Sequence, residues 1–461
     1  MPTFEQQAAE DVVRLRNSFD GYQGENAMKA EAYDGKRRVR DLGISLPPAL
    51  SRLDSVLGWP GTVVDVTEER LDFTGWSSSE LDGIFEANDL DVKAPTVHID
   101  GLIFGTTFVT VTPGQDDEPE VVISASSPQH MSATRSTRTG LLTEACQFFD
   151  ASAQGGELDR CILYRPNETV WLVNDGGWKI EAVDEHRLGR VMAATFVNRP
   201  RASKPNGRSD ITPTVLSLTD SALRTLVAAE VAREFYAVPQ RYMMGAPESF
   251  FLDEEGNPRG AWDAMMGKIL AVERDEDGDI PEVGSFTAHH MSPFFEQVRE
   301  CARQLSAETS IPSTRLGFTT DNPTSADAIR MAENGLIKRA ERRQTWFGKA
   351  WTEVARLAIM VRDGKSFDQL TDEELSIRPI WRDPATPTRS ATTDQALKLH
   401  SMGVPFGEFM MHMLGLSQQE KEMLERDQQA GLRNQLLKSI QERRNAPADP
   451  QAEMLNELRT E

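Results

Sequence analysis

The 461-residue sequence predicts an α+β fold that is mostly helical, and three observations carry that expectation. Apolar residues recur at helical spacing in long segments beyond about residue 212, β-branched residues in alternation gather between roughly residues 105 and 185, and no stretch repeats at the period of a solenoid. The length exceeds one ordinary core, so two to four substructures or one elaborated fold are expected.

In order along the chain, Phe4 to about Leu57 reads as helices, with Gly43 and the Pro47-Pro48 pair marking a stop, and a second helical region begins at Thr62. "GTTFVTVTPG" and "PEVVIS" flank an acidic turn and predict a hairpin, after which three more strands are expected. Among these, Asn174-Asp175-Gly176-Gly177 is a tight turn between Trp171 and Val173 on one side and Trp178 and Ile180 on the other. "NRPRASKPNGRSDITPT" reads as a surface connection. At its end Thr212 is an N-cap with Pro213 in the first helical position, and Leu216, Leu223, Val227, Val231 and Phe235 form an apolar stripe that ends near Pro239.

Residues 240–290 read as a small insert with two turns, "DEEGNPRG" and "DEDGDIPE". A second helix starts at Ser292-Pro293, runs through Phe294, Val298, Cys301, Ala302 and Leu305, and stops before Pro312. The longest periodic element follows, capped by Thr324 with Asp327 three residues on. Ile329, Leu336, Ala340, Phe347, Trp351, Val354, Ala358 and Val361 trace its apolar stripe, and from Ser325 to Arg362 it would extend ~57 Å. Gly335 and Gly348 offer places to bend. "LSIRPIWRDPATPTRS" is a last strand, a helical group follows from Ala391, and residues beyond Asn445 have the polar composition of a disordered tail.

Composition excludes several classes. The apolar fraction of 39% is that of a soluble protein, and no apolar run approaches the ~20 residues of a membrane span. "MPTFEQQAAED" lacks the basic and apolar regions of a secretory signal, which makes the cytoplasm the expected compartment. Cys146, Cys161 and Cys301 are too few for a disulfide framework. A net charge of -22 argues against tight, non-specific DNA binding, yet an acidic wall also lets a polyanion slide past after brief contact.

Motifs of chemistry are missing or broken. "VRDGKSF" lacks the first glycine of a phosphate loop, and "DEDGDI" has Ile280 where a calcium loop needs glycine and Phe286 where it needs glutamate. His289 and His290 are adjacent and lack partners at ligand spacing, so no metal is expected. Cys301 sits on an apolar stripe as a structural cysteine would. Lys338, Arg339, Arg342 and Arg343 read as the solvated face of the long helix, partly paired with Glu341. No catalytic residue and no cofactor is indicated. One alternative remains a cytoplasmic α+β enzyme whose site is built from carboxylates without a motif, and another is a scaffold that reads DNA sequence.

Several stretches together resemble the portal proteins of tailed bacteriophages, in the branch found in actinobacterial phages. They are "YDGKRRVRDLG", "FVNRPR" with "GRSDIT", "LTDSALRTLVAAEVAREFYAVPQRYMMG", "NPTSADAIRMAENGLIKRAERRQTWFGKAW" and "IWRDPATPTRS", in that order. The resemblance implies a non-enzymatic ring, usually a dodecamer, at one capsid vertex of the virion, assembled in the host cytoplasm. Double-stranded DNA would enter and leave through it. Its other partners would be the large terminase, which supplies the packaging ATPase, a head-completion or tail adaptor protein, and the major capsid and scaffolding proteins. It also implies a portal fold: a wing at 1–211, a first stem helix at 212–239, a clip at 240–290, a second stem helix at 291–310 and a tunnel loop at 311–323. A spine helix with the wing's return strand would occupy 324–386, a helical crown 387–444, and a tail 445–461.

The loop between the second stem helix and the spine is then the candidate DNA-channel site. Small hydroxylated side chains suit a constriction that must shift without breaking a core. Ser313, Thr314, Thr319, Thr320 and Asn322 offer hydrogen bonds, as do Thr309 and Ser310, and Arg315 offers the one positive charge. Six to ten phosphate contacts change affinity by roughly 10³ to 10⁵ over a modest salt range, so many arginines per subunit would clamp a duplex and one would not.

Overall fold

A computed structural model describes residues 3–37, 56–150, 159–236, 241–244, 282–285, 290–318, 326–385 and 389–407, with isolated positions up to 433. The chain divides into two units, Met1–Ile380 and Trp381–Glu461.

Helix α1 (Phe4–Tyr33) opens the first unit behind a capping box made by Thr3 and Gln6. Its Ala8, Val12, Leu15 and Phe19 recur at threes and fours and pack on a meander sheet against Cys146, Phe148, Cys161, Leu163, Val170 and Leu172. Two ion pairs fix that docking, Arg14 to Glu144 at 2.6 Å and Arg165 to Asp11 at 2.5 Å. Arg37, just past the helix, grips Asp220 with two bonds of 2.7 Å.

Next come α2 (Trp59–Glu68), β1 (Phe73–Trp76), α3 (Asp82–Ala87) and α4 (Leu90–Phe104). The expected hairpin is β2 (Thr106–Pro113) with β3 (Val121–Ser126), antiparallel from Phe108 opposite Ser126 to Pro113 opposite Val121. Six strands follow it rather than three. β4 (Met131–Arg135), β5 (Leu142–Phe149), β6 (Arg160–Tyr164), β7 (Thr169–Asn174) and β8 (Trp178–Asp184) form the meander, and β9 (Ala193–Val197) returns to the other edge of β2. The strands missed are rich in Ala, Ser, Thr and Glu, residues that carry little strand signal without their neighbours. The Gly176-Gly177 turn is as expected, both residues at positive φ. On β7, Val170 and Leu172 are the fully buried pair.

The stretch 198–214 is only partly a surface connection. Arg201 to Asn206 are exposed, but Asn198, Ser209, Asp210 and Ile211 are buried. Gly207, at φ +78°, is wedged so tightly that a Cβ there would lie 2.4 Å from the Asn198 carbonyl and 2.5 Å from that of Gly105. From it rises α5 (Pro213–Tyr236), whose Val215 amide donates to the Thr212 hydroxyl at 3.3 Å, the expected cap.

β10 (Arg241–Met244) and β11 (Glu282–Ser285) pair antiparallel. The two turns predicted between them, and His289, lie outside the described residues. α6 (Ser292–Thr309) then packs back on α5. Cys301 meets Ser221 at 3.7 Å, while Val215 near the start of α5 and Ile311 past the end of α6 share one core, so the two helices run opposite ways.

α7 (Ala326–Asp363) is the long helix. Trp351 stacks on Phe73 at 4.3 Å, meets Phe196 edge-on at 4.8 Å and donates its indole N–H to His98 Nε2 at 3.0 Å. Complete burial pulls His98 down to about 3, so it accepts that bond as a neutral ring. Gly335 serves close approach: a Cβ there would stand 3.1 Å from the Ser310 Cβ. The helix ends at Asp363, and Gly364 follows it in the left-handed region at φ 61°. α8 (Asp372–Ser376) and β12 (Pro379–Trp381) follow, β12 pairing with β1. In the second unit α9 (Arg389–Ser401) is the first element of the expected helical group, and the tail beyond Asn445 lies outside the described residues.

Candidate functional site

The segment that joins α6 to α7 starts from a tightly bonded helix end. The Thr309 hydroxyl donates to the Leu305 carbonyl at 2.7 Å and the Ser306 hydroxyl to the Ile311 carbonyl at 2.6 Å, with Ser310 in the left-handed region at φ 57°. Thr309 is therefore buried and spent on its own helix, not free to meet a ligand. Pro312 blocks further helix, and Ser313–Leu316 make one tight 3₁₀ turn closed by Gly317 at φ 85°.

Of the predicted site residues, Ser313 is half-buried and Thr314 and Arg315 are exposed. Thr319, Thr320 and Asn322 lie outside the described residues, as do Thr324 and the proposed cap. What the sequence missed is the anchorage. Ile311 and Leu316 are buried in a core with Trp59, Val63, Val66, Val215, Leu305 and Leu336, and Phe318 packs against it. Described residues 311–318 are thus pinned to α2, α5 and α7, so the expectation of a segment that shifts without breaking a core fails there; Ile311, Leu316 and Phe318 are its apolar exceptions.

Arg315 faces an acidic helix end. It pairs with Glu69 at 3.3 Å, both side chains about half exposed, a geometry worth at most about 1 kcal/mol. Asp65, Glu68, Glu69 and Asp72 crowd the carboxyl end of α2, where the helix dipole also disfavours them. Burial, then repulsion from Asp65, Asp72 and Glu69, pushes Glu68 up to about 7.

Behind the loop stands a buried ionic node. Arg343 grips Asp210 with bonds of 2.8 and 2.6 Å, and Asp210 also accepts from Asn198 Nδ2 at 3.1 Å. Burial would raise the Asp210 carboxyl, but Arg343, Arg339, Arg199 and Asn198 together hold it below its ordinary range. Arg339 donates to the Thr309 and Glu308 carbonyls, so a cation from α7 caps the negative end of α6. Its own burial pulls it down to about 10. Arg339 and Arg343 are accordingly not the solvated face expected of them; Lys338 and Arg342, one residue earlier in each case, are. Arg343 falls three residues after Ala340 and four before Phe347, so the periodicity of the stripe itself marked it as buried.

A family model described as phage portal protein, SPP1 Gp6-like, matches residues 4–432. The portal protein of Mycobacterium phage L5 is 32% identical over 447 residues, spanning 92% of this chain and 90% of that protein. The portal protein of Mycobacterium phage D29 is 34% identical over 387 residues, spanning 80% and 78%. The chain belongs to the phage portal proteins, in the SPP1 Gp6-like family. It is also similar to solved chains from the virion and the neck of a gene transfer agent particle, at TM-scores of 0.45 and 0.44, with 13% and 12% identity over 78% of this chain and 90% of each of those. Among the described residues no helix is long and apolar enough to cross a membrane.

Proposed function

We infer that the chain assembles into a ring at the capsid vertex, through which double-stranded DNA passes during packaging and ejection, and on which the large terminase and then the tail adaptor dock. Membership of the portal family across nearly the whole chain carries this reading. In that frame α1 to β9 belong to the wing, α5 and α6 are the stem, residues 240–290 the clip, residues 311–323 the tunnel loop, α7 the spine and residues 387–444 the crown. The antiparallel pairing of α5 with α6, tied beyond their ends by β10 and β11, supports a stem carrying an insert. Arg315 against Glu69 supports a loop that offers one loosely held cation within an acidic surround.

Portal proteins are structural, and the packaging motor's ATP hydrolysis is assigned to the terminase. Twelve copies of the 51.4 kDa chain give about 617 kDa. Native mass spectrometry of the purified protein is expected to find a ring of about that mass. Monomers and dimers alone, at every concentration and salt tried, would count decisively against it.

A further inference from the structure

The segment Arg199 to Arg208 carries Arg199, Arg201, Lys204 and Arg208 with no acidic residue among ten, in a chain of net charge -22. Arg201, Lys204 and Arg208 are exposed, and none of their side chains makes a hydrogen bond or ion pair among the described residues. These cations do not screen one another. Burial, then repulsion from Arg199 and Arg201, holds the Arg208 guanidinium below the usual arginine range.

The turn that holds them is rigid. Arg201 and Lys204 exchange backbone bonds of 3.2 and 2.8 Å, and the Arg208 amide donates to the Asn198 carbonyl at 2.8 Å. The Asn198 side chain donates to the Arg208 carbonyl at 3.0 Å, and Gly207 admits no side chain. Arg199 is held at φ 50°, a strained setting for a residue with a Cβ. Like charges fixed close together in a constrained backbone are preorganised for an anion, because the cost of assembling them is met in the fold.

The turn also has a definite place. Arg208 lies within the field of Glu308 at the end of α6, and Arg339, which donates to the Glu308 carbonyl at 3.3 Å, feels Asp210 and Arg199. The cations therefore stand beside the root of the proposed tunnel loop.

We propose that the basic turn 199–208 is a contact for the phosphodiester backbone of duplex DNA, a step that rests on the portal reading. Between Arg199 and Arg208 the other residues are proline, alanine, serine, asparagine and glycine. A protein partner would find no aromatic or large aliphatic anchor there, whereas a phosphate backbone needs only point charges. Glu25 near Lys204, and Glu308 near Arg208, keep the attraction local, so the turn sets position along the duplex without clamping it.

The test is a salt titration of the assembled ring with a 30-base-pair duplex of mixed sequence, read by fluorescence anisotropy between 50 and 200 mM salt. Three phosphate contacts correspond to a slope of about -2.7 in log affinity against log salt, or roughly forty-fold across that range. The triple variant Arg201→Gln, Lys204→Gln, Arg208→Gln is expected to keep the ring mass, lose at least about tenfold in affinity at 50 mM and flatten the slope by about that amount. Arg201→Lys with Arg208→Lys is expected to restore it. Should the triple variant not assemble, Lys204→Glu alone is expected to flatten the slope by about one unit or more. An unchanged slope in variants with intact rings overturns the contact and leaves the portal reading standing. Displacement of the duplex by polyglutamate at equal charge concentration overturns it in favour of an acidic protein. Absence of any ring in the unaltered protein is failure of the portal reading itself.

Discussion

At the scale of single residues, two carboxylates with opposite fates bear on stability. Asp210 is ionised inside the protein because Arg343 meets it with two bonds, so Arg343→Met strands a buried charge and is expected to cost about 3–5 kcal/mol. Adding Asp210→Leu removes that charge and is expected to recover more than half of the loss in urea denaturation; equal or greater loss in the double variant would deny the node its ionic character. Glu68 is raised from 4.5 to about 7, so the folded chain binds more protons than the unfolded one between those values. Stability contributed at this site therefore falls as the pH rises through about 4.5 to 7. Glu68→Gln is expected to raise the melting temperature at pH 8, by about 1 kcal/mol of stability, and to leave it nearly unchanged at pH 5. Similar shifts at both pH values would show that repulsion at the end of α2 is not the cause.

Among elements, the loop after α6 joins two kinds of structure. Its described part is clamped by Ile311, Leu316 and the Arg339 cap, while Thr314 and Arg315 point outward to solvent. Arg315→Glu leaves the apolar anchors in place and sets a carboxylate against Glu69, so it is expected to spare ring assembly and reduce packaged DNA. Thr319→Pro is expected to do the same. Normal packaging in both, measured as genome content per particle, would remove the loop from the mechanism. The helices were legible because each has its own punctuation: Thr212 before Pro213, Ser292 before Pro293, Pro312 after Ser310. β4, β5 and β9 were less so, because "MSATR", "LTEACQFF" and "AATFV" take their burial from α1 and α7, distant in sequence. The anchorage of the loop was half legible. Arg343 lay in plain sight on an apolar stripe, but Asp210 sits 133 residues away and nothing local joins the two.

For the whole molecule, charge and assembly pull against each other. A ring of chains each carrying -22 repels itself, and salt weakens that repulsion, so the ring is expected to be more stable at higher ionic strength. In the proposed channel the same charge would keep a duplex from sticking, and the few cations held in the turn 199–208 would matter the more for it. The antiparallel helices α5 and α6 bear on a further point. Both are rooted in one core with Leu305 and Val215, and β10 and β11 hold the chain's exit and re-entry side by side. Neighbouring strands lie about 4.8 Å apart, so whatever follows Met244 and precedes Glu282 is spliced into a socket of constant width. A segment of different length or sequence grafted between Met244 and Glu282 is therefore expected to leave the body of the subunit folded.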